Sequence, residues 1–292
     1  MPISPLHEPV LGWYAANARE LPWRAPSASP WAVLVSEVML QQTPVARVLP
    51  VYLEWVRRWP APADLAACAP GAAVRVWGRL GYPRRALRLH EAATAIVERH
   101  DGRVPSSYDD LLALPGVGAY TAAAVASFAF RSRHAVLDTN VRRVLARTVS
   151  GRAQPPSSLG SAERRDAEEL LPDDPEVAAT WAVAVMELGA LVCTARAPRC
   201  ADCPVATLCR WRASGQPDWD GPPPRVQRFA GTDRQVRGLL MAVLREAHGP
   251  VPGDRLVAVW SDGDQRRRAL DGLVSDGLVE PLAANEFQLP GG

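Results

Sequence analysis

Four of the five cysteines lie within seventeen residues of one another, with the spacing C-x6-C-x2-C-x5-C. Thiols this close together suit a bound cation, since disulfides are uncommon in the cytoplasm. Zinc and iron–sulfur clusters both accept four cysteine ligands, but zinc sites usually pair one CxxC with a second short motif. Because only one short pair occurs here, the spacing favours an iron–sulfur cluster. The expected ligands are Cys193, Cys200, Cys203 and Cys209.

Carboxylates set in apolar runs are candidates for acid–base chemistry. Glu37 lies in WAVLVSEVML and Glu187 in WAVAVMELGALVC. Each either lies on a narrow exposed helix stripe or is held in a partly apolar pocket, where burial raises the pKa and keeps a proton available. The residues alone favour an exposed position for both, because acidic side chains are rarely buried. A third carboxylate, Asp138, ends the run AVLD.

A glycine turn precedes a long apolar helix in LALPGVGAYTAAAVASFAF. Pro115 ends the preceding helix, and Gly116 and Gly118 flank Val117. Glycines let the backbone approach a ligand closely, and a helix that begins at Ala119 presents unpaired N–H groups at its positive end. That end suits a phosphate, although most Gly-x-Gly turns only connect helices.

Two further loops carry aromatic side chains that either bind a ligand or cover the core. LPWRAPSASP presents Trp23 and Arg24 on an irregular segment broken by prolines. WGRLGYPRRALRL places Tyr82 on a glycine turn just before a basic helix start. An aromatic residue there can stack on nucleic-acid bases or wedge between them.

These groups must be positioned by helices, because strand patterns are scarce before the C-terminus. After the Pro/Gly-rich segment ASGQPDWDGPPPRVQRFAGTD, we predict helices over Arg234–Ala247, Asp254–Trp260 and Asp264–Asp276, then strands LVEPL and EFQLP. That order resembles a winged-helix module. The predicted helices before that segment cover Glu8–Glu20, Trp31–Gln42, Val45–Trp59, Ala63–Cys68, Ala72–Trp77, Pro83–His100, Tyr108–Ala113, VRRVLARTVS, SAERRDAEELL and PEVAATWAVAVMELGALVC.

Composition adds one sharp constraint. The chain has 292 residues, a net charge of +2 and no lysine, so all 33 basic residues are arginine. No side-chain amine is available to form a Schiff base. With no apolar run long enough to span a membrane and no signal segment, the expected location is the cytoplasm.

Several motifs together resemble those of a known family. LPGVGxxTA followed about twenty residues later by Asp138, SEVMLQQT, MELGALVCT and the cysteine spacing are similar to those of the helix-hairpin-helix/Gly-Pro-Asp DNA glycosylase superfamily. Within its endonuclease III-like, iron–sulfur branch they resemble the MutY-type adenine DNA glycosylases. The match covers roughly Trp13 to Trp211.

The resemblance implies an all-α, two-lobed fold with a [4Fe-4S] loop, followed by the winged-helix-like module. The implied bounds are 1–22 and 131–212 for the iron–sulfur-cluster lobe, 23–130 for a six-helix lobe with the helix-hairpin-helix, 213–232 for a linker and 233–292 for the module.

The resemblance also implies a reaction, hydrolytic removal of mispaired adenine opposite 8-oxoguanine or guanine. Glu37 would protonate adenine, Asp138 would face the sugar, and Tyr120 and Asn140 would orient these groups. Endonuclease III-type enzymes carry a lysine nucleophile at position 120, so Tyr120 implies excision without strand cleavage. The residues implied to contact DNA or the extruded base are Trp23, Arg24, Gln41, Gln42, Thr43, Tyr82, Glu187, Gly116, Val117 and Gly118.

The implied partner is mispaired double-stranded DNA, bound by a monomer, with a monovalent cation at the hairpin. One alternative is a monofunctional thymine or uracil mismatch glycosylase, whose members also carry tyrosine and aspartate at these positions. Another is a non-catalytic iron–sulfur DNA-binding regulator, which would need neither Glu37 nor Asp138. The tail is too short for the domain that reads 8-oxoguanine in well-known MutY enzymes, so the mispair preference stays open.

Overall fold

The computed structural model describes residues 4–219, 221 and 229–291. Up to residue 219 the regular elements of this described part are helical, as predicted. They are α1 (His7–Asn17), α2 (Pro30–Leu40), α3 (Val45–Arg58), α4 (Pro62–Ala66), α5 (Pro70–Trp77), α6 (Arg84–Arg99), α7 (Tyr108–Leu112), α8 (Ala119–Phe130), α9 (Thr139–Thr148), α10 (Ser161–Glu169), α11 (Pro175–Leu191) and α12 (Arg210–Ala213), with short 3-10 turns at Pro22–Arg24 and Cys200–Asp202.

Local sequence sets several helix starts. Proline, whose fixed φ suits the first helical residue, opens α4, α5 and α11. The Asp138 side chain caps α9 by accepting from Val141 N, and the Asp174 side chain caps α11 by accepting from Val177 N. Both aspartates are thus held at defined helix starts.

Contacts within the chain define two compact units. Unit 1 comprises Met1–Val33, Ser106–Leu112 and Gly118–Pro223, and unit 2 comprises Leu34–Pro105, Ala113–Val117 and Pro224–Gly292. These bounds differ from the division expected from the sequence, since residues 118–130 group with unit 1 and residues 233–292 group with unit 2. The predicted linker, 213–232, lies partly outside the described residues.

Each unit has its own apolar core. In unit 1, α11 packs against α1 and α9 through buried residues that include Val10, Val144 and Leu188. In unit 2, Trp55 makes edge-on contacts with Trp59 and Trp77, with ring centroids 4.7 and 5.7 Å apart. Offset and edge-on arrangements of this kind are the favoured ones for aromatic pairs. These cores fix the helices on which the candidate site residues lie.

The C-terminal part of unit 2 is a small mixed module. Its elements are α13 (Asp233–Glu246), β1 (Val251–Pro252), α14 (Gly253–Val257), α15 (Gly263–Ser275), β2 (Glu280–Leu282) and β3 (Glu286–Gln288). The three strands form an antiparallel sheet in the order β1-β3-β2, with Val251 opposite Phe287 and Pro281 opposite Phe287 on its other side. The winged-helix order predicted from the sequence is observed, with β1 added. A two-residue strand containing proline leaves too short a pattern to recognise.

The module docks on α5 and on the start of α6 within the same unit. Gly71 N donates to Pro290 O at 2.7 Å, and a Cβ at Gly71 would lie 2.7 Å from that oxygen. Arg75 donates to the carbonyls of Arg245 and Ala247 at the end of α13, and Arg84 pairs with Asp276 at 3.2 Å. No helix in the described part of the chain is long and apolar enough to cross a membrane.

Candidate functional site

The glycine hairpin is formed as the motif predicts, between α7 and α8. Gly116 has φ +74°, which favours glycine, and a Cβ there would lie 2.5 Å from Arg88 Cβ. Val117 is buried, whereas Gly118 is exposed and a Cβ on it would meet nothing within 4 Å. No side chain caps α8 at Gly118, and the positive end of this helix lies at the glycine hairpin.

Glu37 lies on α2 and is only 5% exposed. Its neighbours Val35, Ser36 and Met39 are fully buried. The expectation from the residues alone, an exposed stripe, is therefore wrong, and the Glu37 carboxylate is buried.

Asp138 is held by amides at the start of α9. Its Oδ1 accepts from Val141 N at 2.6 Å, and its Oδ2 accepts from Asn140 Nδ2 at 2.8 Å. Burial raises the pKa of Asp138, and these two hydrogen bonds and the charge of Arg143 offset only part of that effect. The expected partner Asn140 thus contacts Asp138 directly, while Tyr120 is half-buried on α8 and packs against a cluster that includes Ala123 and Val136.

Arg143 connects this carboxylate region to the cysteine loop. Its Nη2 donates to Asn140 Oδ1 at 2.8 Å and to Gly189 O at 2.7 Å, and its Nε donates to Cys193 O at 2.7 Å. Gly189 allows the close approach, because a Cβ there would lie 2.7 Å from Asn140 Cβ. The spacing of Arg143 three residues after Asn140, on one helix face, is the only sequence signal for this contact.

Glu187 forms the centre of a buried ion cluster. Its side chain is fully buried, and its carboxylate accepts from Arg19 Nε at 2.6 Å, Arg19 Nη2 at 2.7 Å and Arg24 Nη2 at 2.9 Å. Burial raises the pKa of Glu187, but the hydrogen bonds and charges of Arg19 and Arg24 outweigh it and lower the pKa to about 2. The exposed position favoured for Glu187 is therefore wrong.

The LPWR loop contributes to both this cluster and the core. Trp23 is 6% exposed, which matches the alternative in which it plugs the core edge. Arg24 Nη1 is buried and has no hydrogen-bond partner within the described residues. A buried guanidinium nitrogen in this state is ready to donate to a group from outside the chain.

The four cysteines line one cavity. Within the described residues, no group of three or more His, Cys, Asp or Glu side chains is arranged to bind a single metal ion. Four thiols that surround a space fit a multi-iron cluster better than one zinc ion, which needs all sulfurs at about 2.3 Å. Arg147 Nη1 donates to Cys193 Sγ at 3.3 Å, and Gln216 Nε2 donates to Cys200 Sγ at 3.4 Å.

Burial raises the pKa of Cys203 to about 11. Because thiols bind metals as thiolates and this loop carries all four of them, metal binding and the ordering of the loop should be coupled. The donor set, the surrounding N–H groups and the cavity all fit an iron–sulfur cluster.

The loop after α2 and the turn before α6 present two exposed side chains, Gln42 and Tyr82. Tyr82 is 53% exposed, so the interpretation in which it covers the core is wrong. Thr43 is buried, and its hydroxyl donates to Gln41 O at 3.1 Å. The neighbouring Arg85 donates to both segments.

A family model and a solved structure match this chain. The model for the HhH-GPD superfamily of base excision DNA repair proteins matches residues 35–171. Among solved structures, a thermostable thymine-DNA glycosylase matches with a TM-score of 0.63 and 27% identity, over 71% of this chain and 94% of that one. The helical fold, the glycine hairpin and these matches define the helix-hairpin-helix class of base excision repair proteins.

Two relatives identify the family within this class. An adenine DNA glycosylase of Mycobacterium tuberculosis (strain CDC 1551 / Oshkosh) is 53% identical over 283 residues, which is 97% of this chain and 92% of the relative. One of Mycolicibacterium smegmatis is also 53% identical, over 100% of this chain and 97% of the relative. The chain belongs to the adenine DNA glycosylase family. Both matches include the short C-terminal region, so that region is shared with named family members.

Proposed function

We propose that this protein removes adenine mispaired with 8-oxoguanine or guanine by hydrolysing the N-glycosidic bond, as the first step of base excision repair. The observation that carries the proposal is the buried Glu37 on α2, within SEVMLQQT. A regulator that only bound DNA would need no carboxylate in an apolar setting, where burying it costs free energy. The names of the 53% identical relatives support the choice of adenine.

The reaction needs a proton donor for the departing base and a carboxylate for the cationic sugar. In our proposal Glu37 donates a proton to adenine N7 and later helps to activate water. Asp138 remains anionic and stabilises the oxocarbenium ion that forms as the bond breaks. The amide donors of Asn140 and Val141 hold the Asp138 carboxylate in one orientation, with no arginine hydrogen-bonded to it within the described residues.

The proposed reaction ends at base removal. Strand cleavage by a lyase step requires an amine that attacks the sugar, and the chain has tyrosine at position 120 and no lysine anywhere. Borohydride trapping should therefore give little or no covalent adduct between enzyme and DNA. An efficient adduct that disappears when only internal residues are changed would contradict the monofunctional assignment.

We propose a [4Fe-4S] cluster bound by Cys193, Cys200, Cys203 and Cys209. When bound, the cluster supplies a fold constraint and no chemistry on the substrate. It would hold the segment from α11 to α12, whose arginines Arg196, Arg199 and Arg210 can meet phosphates. Purified protein should be brown with stoichiometric iron and sulfide, whereas colourless protein with stoichiometric zinc would contradict the cluster.

The proposed partner is double-stranded DNA bound by one copy of the chain. The hairpin, through Gly116 to Gly118 and a bound monovalent cation, would hold a phosphate at the uncapped start of α8. Gln42 and Tyr82 would enter the base stack beside the mispair, and Arg24 with its free Nη1 would contact the extruded base. The location that suits this substrate is the nucleoid.

A strand-nicking assay after hot alkali tests the substrate directly. Duplexes carry A, T or U opposite guanine or 8-oxoguanine, and Glu37→Gln serves as the matched inactive variant because it keeps shape but cannot deliver a proton. We expect excision of A by the wild type and a loss of about 10² to 10⁴ in rate for the variant. Excision of T or U but never A would favour the thymine or uracil alternative. That alternative is consistent with the similarity to the solved thymine-DNA glycosylase.

A further inference from the structure

In unit 2, one guanidinium forms hydrogen bonds with both the loop after α2 and the turn before α6. Arg85 lies at the start of α6 and donates from both of its terminal nitrogens. Its Nη1 donates to two carbonyls at the end of α2 and to one in the loop that follows. Its Nη2 donates to the same loop and to the turn before α6. The acceptors are Val38 O at 2.9 Å, Met39 O at 3.0 Å, Gln41 O at 2.7 Å, Thr43 Oγ1 at 3.0 Å and Gly81 O at 3.1 Å.

Two of these acceptors have a special position. Gln41 O and Gly81 O belong to the peptide units that directly precede Gln42 and Tyr82. Gln42 has φ 53° and Tyr82 has φ 47°, both in the left-handed region that L-residues with side chains disfavour. Such conformations persist when surrounding contacts hold them and are common at functional sites. Arg85 supplies these contacts for both loops at once.

The same guanidinium also meets aromatic rings. It lies 5.1 Å from the Trp77 ring centroid and 5.5 Å from that of Tyr82, at cation–π distance. No carboxylate within the described residues forms an ion pair with it, and burial lowers the pKa of Arg85 to about 10. The group is therefore still charged at neutral pH, with carbonyls and rings in place of a counter-ion. Arg85 is half-buried, and its hydrogen bonds go to the backbone of two loops instead of to a carboxylate, which points to a role in fixing those loops.

We propose that Arg85 is a positioning residue that sets Gln42 and Tyr82 in one fixed arrangement, so that the two side chains enter the duplex as a single wedge. The inference rests on the proposed insertion of these side chains into the base stack. Lysine could not replace Arg85, because an ammonium group lacks the planar fork that reaches both segments. Thr43, buried beside Arg85, belongs to this support and not to the DNA-contacting surface.

The test compares Arg85→Met and Tyr82→Ala, alone and combined, with Arg57→Met as the matched control on an exposed arginine that pairs with Glu54. A 2-aminopurine next to the mispair reports unstacking by its fluorescence, and single-turnover excision gives the rate. We expect Arg85→Met to lose most of the fluorescence change and about 10² in rate, as misplaced groups do. Because both changes disable one wedge, the double variant should be within about threefold of the worse single variant.

The outcomes separate the two hypotheses. If Tyr82→Ala keeps the fluorescence change of the wild type, the proposed insertion is wrong. If Tyr82→Ala loses that change but Arg85→Met keeps it, or if the losses multiply in the double variant, the positioning role is wrong.

A milder variant covers the case in which Arg85→Met does not fold. Thr43→Val removes one acceptor of Arg85, and Thr94→Val removes a comparable hydroxyl that only donates to His90 O on α6. We expect a loss of fluorescence change and a threefold to tenfold rate loss, roughly, for Thr43→Val, the value of one hydrogen bond. Equal rates and signals for the two threonine variants would overturn the proposal.

Discussion

Asp138, which is half-buried, and Glu187, which is fully buried, are two carboxylates of the same unit with opposite hydrogen-bond environments. At Asp138 only amide donors bind the carboxylate, and burial raises its pKa. At Glu187 two arginines bind the carboxylate, and its pKa falls to about 2. A carboxylate that must meet a positive charge formed during a reaction cannot already be neutralised by one. In the proposed mechanism, Asp138 is therefore the carboxylate available for the reaction, and Glu187 is the one that organises its surroundings.

The largest expected effect concerns Asp138. Asp138→Asn should keep the cap of α9, because asparagine caps a helix about as well as aspartate, but it removes the negative charge opposite the cationic sugar. We expect a single-turnover rate loss of about 10² to 10³ or more, with affinity for mispaired DNA changed by less than about tenfold.

Asp174→Asn is the matched control, because Asp174 caps α11 through the same kind of hydrogen bond. Its excision rate should equal that of the wild type. Near-normal excision by Asp138→Asn would show that Asp138 acts only as a helix cap and that its negative charge is not needed for excision.

The next effect concerns the free energy of unfolding and Glu187. Glu187→Gln leaves two arginines around a buried neutral amide, and loss of one partner from a buried ion pair typically costs about 3 to 5 kcal/mol. Glu176→Gln breaks the exposed pair with Arg131 and should cost less than about 1 kcal/mol. Urea unfolding of the two variants measures the difference. Equal stability of the two variants would mean that the ion cluster around Glu187 does not stabilise the fold.

The sequence carried enough pattern to predict the helices, the hairpin and the cysteine loop, because each depends on local residue spacing. Apolar periodicity predicted α2 and α11, but it could not decide whether Glu37 and Glu187 were buried, since a single acidic residue in an apolar run fits either face. Burial was decided by long-range partners, such as Arg19, which lies 168 residues from Glu187. The contacts of Arg85 could not be predicted for the same reason, because most of its acceptors are backbone carbonyls, which leave no trace in the sequence.

The subtlest effect is on the pH dependence of stability, where the two carboxylates should act with opposite sign. The folded pKa of Glu187 is depressed from 4.5 to about 2, so its contribution is complete above about pH 4.5 and is lost as the pH falls towards 2. The folded pKa of Asp138 is raised from 3.8, so its ionisation favours the unfolded chain and lowers stability as the pH rises through the window that begins at 3.8.

Unfolding free energies of wild type, Glu187→Gln and Asp138→Asn between about pH 3 and 7 test both signs. Relative to wild type, Glu187→Gln should gain less stability as the pH rises from 3 to 4.5, and Asp138→Asn should gain more above pH 3.8. Excision by the wild type should fall on acidification through the raised pKa of Asp138, because the proposed mechanism needs its anion. Identical slopes for the three proteins would mean that the two carboxylates do not differ in the way their hydrogen-bond partners indicate.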